Sequence, residues 1–174
     1  MDSIESSSYK TLEINVTHPI RATQLAIDYF KRQNHGHGSV VLISSIAAQG
    51  AYFLWPMYAA SKAAISSFTR SLAPLEQSLK IRVNAIAPGI VKTPLWTADK
   101  LDVVNEELDS WVTTTQIAGV MLDLIQKEEY VGGTVLEVGA ELVRKVEILN
   151  DPGPTGKGFA ASAPNGMCIC GVPS

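Results

Sequence analysis

Gly38-Ser39-Val40-Val41-Leu42-Ile43-Ser44-Ser45 is the stretch that decides the fold. Four apolar, mostly β-branched residues in a row do not alternate wet and dry faces. Bounded by small polar residues, they predict a strand buried on both sides, as in a parallel sheet. Parallel strands need crossover helices, and the flanking sequence carries the pattern for them. From Tyr9 to about Arg32, Leu12, Val16, Ile20, Leu25, Ile27 and Phe30 recur broadly at helical spacing. That segment runs out in the turn-forming Asn34-His35-Gly36-His37-Gly38. Downstream, Pro56 suits the first turn of a second long helix, with Ile65, Phe68, Leu72, Leu75 and Leu79 at steps of three and four.

Two more strands come next: Arg82-Val83-Asn84-Ala85-Ile86, stopped by Pro88-Gly89, and Thr134-Val135-Leu136-Glu137-Val138 after Gly132-Gly133. Lys100 to Leu108 and Thr114 to Lys127 are helical candidates between them. Helix, strand, helix, strand, helices, strand is the order of an α/β layer architecture with parallel strands and right-handed crossovers. With 174 residues, 46% of them hydrophobic, the chain can build one such core. The expected domain covers residues 1–150. Residues 151–174 hold five of the thirteen glycines and four of the nine prolines without periodicity, and are expected to form a loose tail. Gly153 to Gly158 has neither the spacing nor the flanking elements of a phosphate loop and is given no function.

The charge balance, 14 basic and 17 acidic residues for a net of -3, is spread without a block of like charges. It points to neither a nucleic-acid nor an anionic-membrane partner. No window approaches the ~18 apolar residues of a bilayer span, and the polar start lacks a signal sequence, so a soluble, cytoplasmic protein is expected. On that expectation the Asn15-Val16-Thr17 triplet is not a glycosylation acceptor. Cys168 and Cys170 have no second pair at zinc-ligand spacing and are read as reduced thiols; His35 and His37 are read as a solvated turn. No metal site is expected.

The chemistry concentrates in Tyr58-Ala59-Ala60-Ser61-Lys62, which puts a phenol and an ammonium on one helical face. A free tyrosine titrates near ~10, and a fixed positive charge favours its ionised form, drawing proton exchange with an alcohol or carbonyl toward working pH. Thirteen residues earlier, Ser45 sits just past the buried strand, where open α/β sheets present ligand-binding groups. Its hydroxyl could orient a substrate oxygen beside Tyr58; of the adjacent Ser44 and Ser45, one could merely end the strand by bonding local backbone, and spacing favours Ser45 for the chemistry. Asn15 lies four residues before Pro19, which has no N–H to give the Asn15 carbonyl. A kink and a freed acceptor for a proton-relaying water are expected there. The break at Pro88-Gly89, leading into Ile90-Val91-Lys92-Thr93, is expected to leave backbone groups free to bind a planar amide.

In this order and approximate spacing, Asn15, Ser45, Tyr58-x-x-x-Lys62 and Pro88-Gly89-x-x-x-Thr93 resemble the short-chain dehydrogenase/reductase family. The Thr11 to Asn15, Ser44-Ser45, Tyr58 to Lys62 and Val131 to Thr134 segments look most like its NAD-linked hydroxyprostaglandin dehydrogenase branch. The resemblance covers about residues 9 to 140. It implies a Rossmann-like, doubly wound parallel sheet and an alcohol–ketone oxidoreductase using NAD or NADP on a small-molecule substrate. It implies Tyr58 as catalytic acid/base, Lys62 as ribose ligand, Ser45 as substrate positioner and Asn15 as relay anchor. Tyr58, Lys62, Pro88, Gly89, Ile90 and Thr93 would line the cofactor. It also implies pairing through the two long helices, as a homodimer or with a longer relative.

The departure is at the front. No glycine precedes Gly36, so the phosphate-binding turn and the residue that chooses NAD or NADP are not within this sequence. The sheet is therefore expected to be partial, without its N-terminal dinucleotide-binding strands, and its first strand to have a bare outer edge. Weak cofactor binding is expected in turn, because the main fixed attraction for the phosphates is missing. That leaves open a non-redox acid/base enzyme, such as an isomerase or dehydratase, or a catalytically silent oligomerisation subunit. The apolar loop Gly50-Ala51-Tyr52-Phe53-Leu54-Trp55-Pro56 and the pair Leu95-Trp96 suggest a hydrophobic substrate, or else packing.

Overall fold

The computed structural model describes residues 8–33, 36–96 and 110–148. In chain order these form α1 (Lys10–Leu12), a π-turn (Glu13–Thr17), α2 (His18–Gln33), β1 (Gly38–Ile43), a 3-10 turn (Ile46–Gln49), α3 (Pro56–Ser71) and α4 (Leu75–Leu79). Then come β2 (Ile81–Pro88), α5 (Thr114–Gln126), β3 (Val135–Val138) and β4 (Val143–Lys145). The helical candidate at 100–108, the tail from 151 and both cysteines lie outside the described residues. Among the described residues no helix is long and apolar enough to cross a membrane, and no cluster of His, Cys, Asp or Glu could hold a metal.

The first helical run is continuous, and the expected kink is a π-turn. The His18 N–H reaches back five residues to the Glu13 carbonyl. With proline at 19 unable to donate, widening the turn lets the helix pass the gap without ending. The second long helix does not run to Leu79 as its periodicity suggests. It ends at Ser71, turns through Leu72 to Pro74 and restarts as the five-residue α4. Pro74 lacks an N–H and biases Ala73 away from helix, while the apolar spacing continues because both pieces cover the same core.

The sheet order is β1-β2-β3-β4. β1 and β2 pair in parallel from Gly38↔Ile81 to Ile43↔Ile86, and β2 pairs in parallel with β3 from Ala85↔Val135 to Pro88↔Val138. β4 corrects the all-parallel expectation: it returns antiparallel on β3, with Leu136 opposite Lys145 and Val138 opposite Val143. Three residues with a charged middle carry no strand period in sequence. A tight turn in which the Gly139 N–H bonds the Leu142 carbonyl brings them back. Among the described residues the other edge of β1 has no neighbouring strand, and Ile43 at its end is 53% exposed.

Alternation along β2 builds a core on each face. Ile81, Val83, Ala85 and Ala87 pack with Leu42 and Val135 under α2, α3 and α4, through Ile27, Phe30, Ile65, Phe68, Leu72 and Leu75. Ile86 packs with Leu136, Val138, Val112 and Leu124 under α5. Helices on both faces make the sheet doubly wound, as expected.

At the amino ends of the strands, polar side chains are clamped. Arg82 donates to the carbonyls of Ile125 at 2.7 Å, Lys127 at 2.8 Å and Tyr130 at 3.2 Å, capping the end of α5. Asn84 is fully buried; it accepts from the Thr134 N–H at 3.1 Å and donates to the Tyr130 carbonyl at 3.3 Å. Gly132 gives its N–H to Glu76 at 2.7 Å. Gly133 has φ +86°, and a Cβ there would meet that of Ala73 at 2.8 Å. Only glycine lets the loop into β3 pass so close to the α3–α4 turn.

Candidate active site

The site forms where α3 crosses the carboxyl end of β1. Backbone polarity at a strand end must be satisfied, and here the partners come from β2 and α3. The Ser44 N–H continues the ladder to the Ile86 carbonyl at 2.7 Å. The Ile43 carbonyl accepts from Lys62 Nζ at 3.0 Å. Lys62 is thus drawn inward, and desolvation by burial lowers its pKa below the usual lysine value. One helical turn earlier, the Tyr58 ring lies with its centroid 5.6 Å from the Lys62 ammonium. Tyr58 is 37% exposed, and its hydroxyl makes no hydrogen bond among the described residues.

Ser45 is buried and caps the 3-10 turn, its Oγ accepting from the Ala47 N–H at 3.2 Å. An accepting hydroxyl keeps its own proton to give. The turn it caps packs along α3, so Ser45 and Tyr58 stand on touching elements. Asn15 joins from the π-turn: its Nδ2 donates to Ser61 Oγ at 3.1 Å, and Ser61 Oγ donates to the Tyr58 carbonyl at 2.6 Å. The tie from Asn15 to the tyrosine's helix therefore runs through its side chain and the fully buried Ser61. Ser61 was legible only as a serine inside a helix, a type that needs a bonding reason to be there.

Of the two adjacent serines it is Ser45 that bonds local backbone, through the Ala47 N–H, while Ser44 Oγ donates to the Lys62 carbonyl at 3.0 Å and lies 2.7 Å from Ser66 Oγ. One sequence expectation is corrected. The backbone after Pro88 is not left free at three groups. The Gly89 N–H donates to the Val138 carbonyl, the Ile90 carbonyl accepts from the Val112 N–H, and the Lys92 N–H donates to the Val112 carbonyl. The sequence could not show this, because Val112 reaches the segment from more than twenty positions away as an isolated bridge to Val91. Pro88 and Gly89 do lie at the same end of the sheet as Ser45, two and three residues beyond Ile86 in the Ile43↔Ile86 pair. Ile90 and Thr93 come after them in the half-buried segment beyond.

Residues 3–103, more than half of the chain, match the family described as short chain dehydrogenase. The chain belongs to that family. Among curated short-chain dehydrogenases it is 43% identical over 94 residues to rat 15-hydroxyprostaglandin dehydrogenase [NAD(+)], covering 52% of this chain and 35% of the relative. The human protein of that name is 39% identical over the same spans. A short-chain dehydrogenase/reductase of Penicillium rubens is 34% identical over 104 residues, covering 59% of this chain and 35% of the relative. This chain thus spans about a third of the length of these relatives. Among solved structures, carveol dehydrogenase from Mycobacterium avium in complex with NAD superposes with TM-score 0.65 at 25% identity, over 74% of this chain and 54% of that one. 4-hydroxyisoleucine dehydrogenase complexed with NADH gives TM-score 0.62 at 21% identity, over 74% and 56%, a likeness of fold.

Proposed function

We propose that this chain carries the catalytic part of an oxidoreductase that interconverts an alcohol and a ketone with a nicotinamide cofactor. The observation that carries the reading is the Lys62 ammonium, held on the end of β1 one turn from a tyrosine whose hydroxyl makes no hydrogen bond among the described residues. Ser45 donates a hydrogen bond from its hydroxyl to the substrate oxygen and holds that oxygen beside Tyr58. Tyr58 then gives a proton to that oxygen or takes one from it. The cation of Lys62 favours negative charge on the phenol oxygen as its proton leaves. Asn15 anchors the far side through Ser61, and its backbone carbonyl serves a relay of protons from solvent.

The residues present fit one end of the cofactor. Lys62 uses one of its three donors on Ile43, which leaves N–H groups for ribose hydroxyls beside Tyr58. Pro88, Gly89, Ile90 and Thr93 would line the nicotinamide, with contacts from groups other than the three already paired. When bound, the nicotinamide supplies or accepts the hydride. NAD is favoured over NADP by the names of the relatives and by the NAD in the carveol dehydrogenase complex. Phe53, 95% exposed, stands with Leu54 and Trp55 on the loop between Ser45 and Tyr58. An apolar loop at that place supports a small hydrophobic substrate.

The second reading is a catalytically silent partner. Ile14 and Leu25 are exposed on the first helical run, which supports pairing through the long helices with another copy or a longer relative. Titrating the purified chain with NADH and assaying hydrophobic secondary alcohols with NAD separates the two. Binding with turnover that Tyr58→Phe abolishes supports the enzyme; no binding, together with a stable hetero-oligomer, supports the silent subunit.

A further inference from the structure

Four helical hydroxyls, those of Thr23, Thr69, Ser71 and Ser78, bond back to the carbonyl four residues earlier, at 2.8 to 3.0 Å. That is the ordinary way a helix satisfies such a group. Ser66 has the same option, since the carbonyl four residues before it belongs to Lys62. It does not take it. Its Oγ sits 2.7 Å from Ser44 Oγ, and Ser44 Oγ bonds the Lys62 carbonyl at 3.0 Å. A carbonyl only accepts, so the Ser44 proton lies on Lys62 and the proton between the hydroxyls comes from Ser66. The chain of donation runs Ser66 to Ser44 to the Lys62 carbonyl. Both serines are buried, at 6% and 1% exposure, where an unpaired hydroxyl would be costly.

We propose that Ser44 and Ser66 are positioning residues, a buried hydroxyl pair that sets the height of α3 against the end of β1 and so places Lys62 and Tyr58. This rests on the proposed role of Tyr58 and Lys62. A bond that α3 would otherwise make within itself is routed through the strand end. Ser44 is fixed in turn by its own N–H on Ile86, 2.7 Å away. Lys62 is therefore gripped at two points by consecutive residues: its carbonyl by Ser44 and its ammonium by Ile43. Without the Ser44 hydroxyl, Ser66 can turn to the Lys62 carbonyl and satisfy itself. The fold then loses little, and the tether between helix and strand is gone.

The test is the titration of Lys62 in the intact chain, followed by NMR of its side chain and assigned with Lys62→Arg, so no turnover is needed. Ser44→Ala is expected to move that titration up toward the ordinary lysine value as the ammonium is released to solvent, with a larger shift than Ser66→Ala. Ser44→Thr and Ser44→Val share a shape and differ by the hydroxyl; Thr should keep the parental titration and Val should not. With substrate, Ser44→Val should lower kcat about tenfold relative to Ser44→Thr with KM unchanged, the signature of misplaced groups. An unmoved Lys62 titration in Ser44→Ala, or equal titrations in the Thr and Val variants, overturns the proposal. Should Ser44→Ala not fold, the Thr and Val pair decides, and the matching pair at Ser66 repeats the test from the other hydroxyl. If Lys62 shifts as expected while the parent turns over no alcohol, the tether stands and the oxidoreductase reading fails.

Discussion

The two ends of the sheet use buried polarity in opposite ways. At the amino end, Arg82 spends its guanidinium on three carbonyls, Asn84 pairs both its donor and its acceptor, and Glu76 holds the Gly132 N–H. Each of these groups is tied to the backbone of a neighbouring element, which fixes the loops and the helix end around the strands. At the carboxyl end, among the described residues, Lys62 has more donors than partners, the Tyr58 hydroxyl makes no hydrogen bond, and Ser45 accepts while keeping its proton. Each end keeps one buried polar atom without a partner among the described residues, Ser39 Oγ at the amino end and Gln49 Nε2 in the turn after Ser45. The ends differ in what their polar groups hold: side chains tied to backbone join elements of the fold, and a cation placed beside a hydroxyl can do chemistry.

Substitutions should separate the ends, activity falling without stability at one and stability without activity at the other. The largest expected effect is from Tyr58→Phe: in the proposed reaction, alcohol turnover should fall ~100-fold to ~10,000-fold relative to the parent, the range for loss of a general acid/base. Its melting temperature should hold within a degree or two. A variant that melts early would show that the phenol belongs to the packing. At the other end, Gly133→Val should cost about 3 kcal/mol or more, since it combines a positive φ for a β-branched residue with a close approach to Ala73. Urea unfolding measures it, and an unchanged midpoint would mean the loop can move away.

Arg82→Ala should destabilise by about 1.5–3 kcal/mol, the range for hydrogen bonds to a charged donor, with cofactor affinity unchanged. A change in NADH binding on that substitution would mean that the ends communicate. Smallest is a pH effect at Lys62. Burial lowers its folded pKa, so between that value and the ordinary lysine value the unfolded chain holds more protons. Stability therefore rises with pH across that window, and the burial penalty is fully felt below it. Subtracting the melting curves of Lys62→Met from those of the parent should expose this slope, and parallel curves would place the ammonium in free solvent.

The sequence by itself determined the features that local spacing encodes. The Val40 to Ile43 run, the two helical periodicities and the Pro88-Gly89 stop carry the parallel core of the fold, because side-chain period reports which faces are buried. Tyr58 and Lys62 were legible for the same reason, four residues on one helix being neighbours in any context. Pro19 announced the irregular turn at Asn15. Only the tertiary structure decided that Ser44 bonds Lys62 and Ser66, that Ser61 receives Asn15, that Arg82 caps α5, that Val112 closes the backbone beyond Pro88, and that β4 turns back on β3. Each joins groups that no period connects. A hydroxyl or guanidinium pairs with whatever donor or acceptor packing brings within about 3 Å, and that partner exists only once the layers have closed.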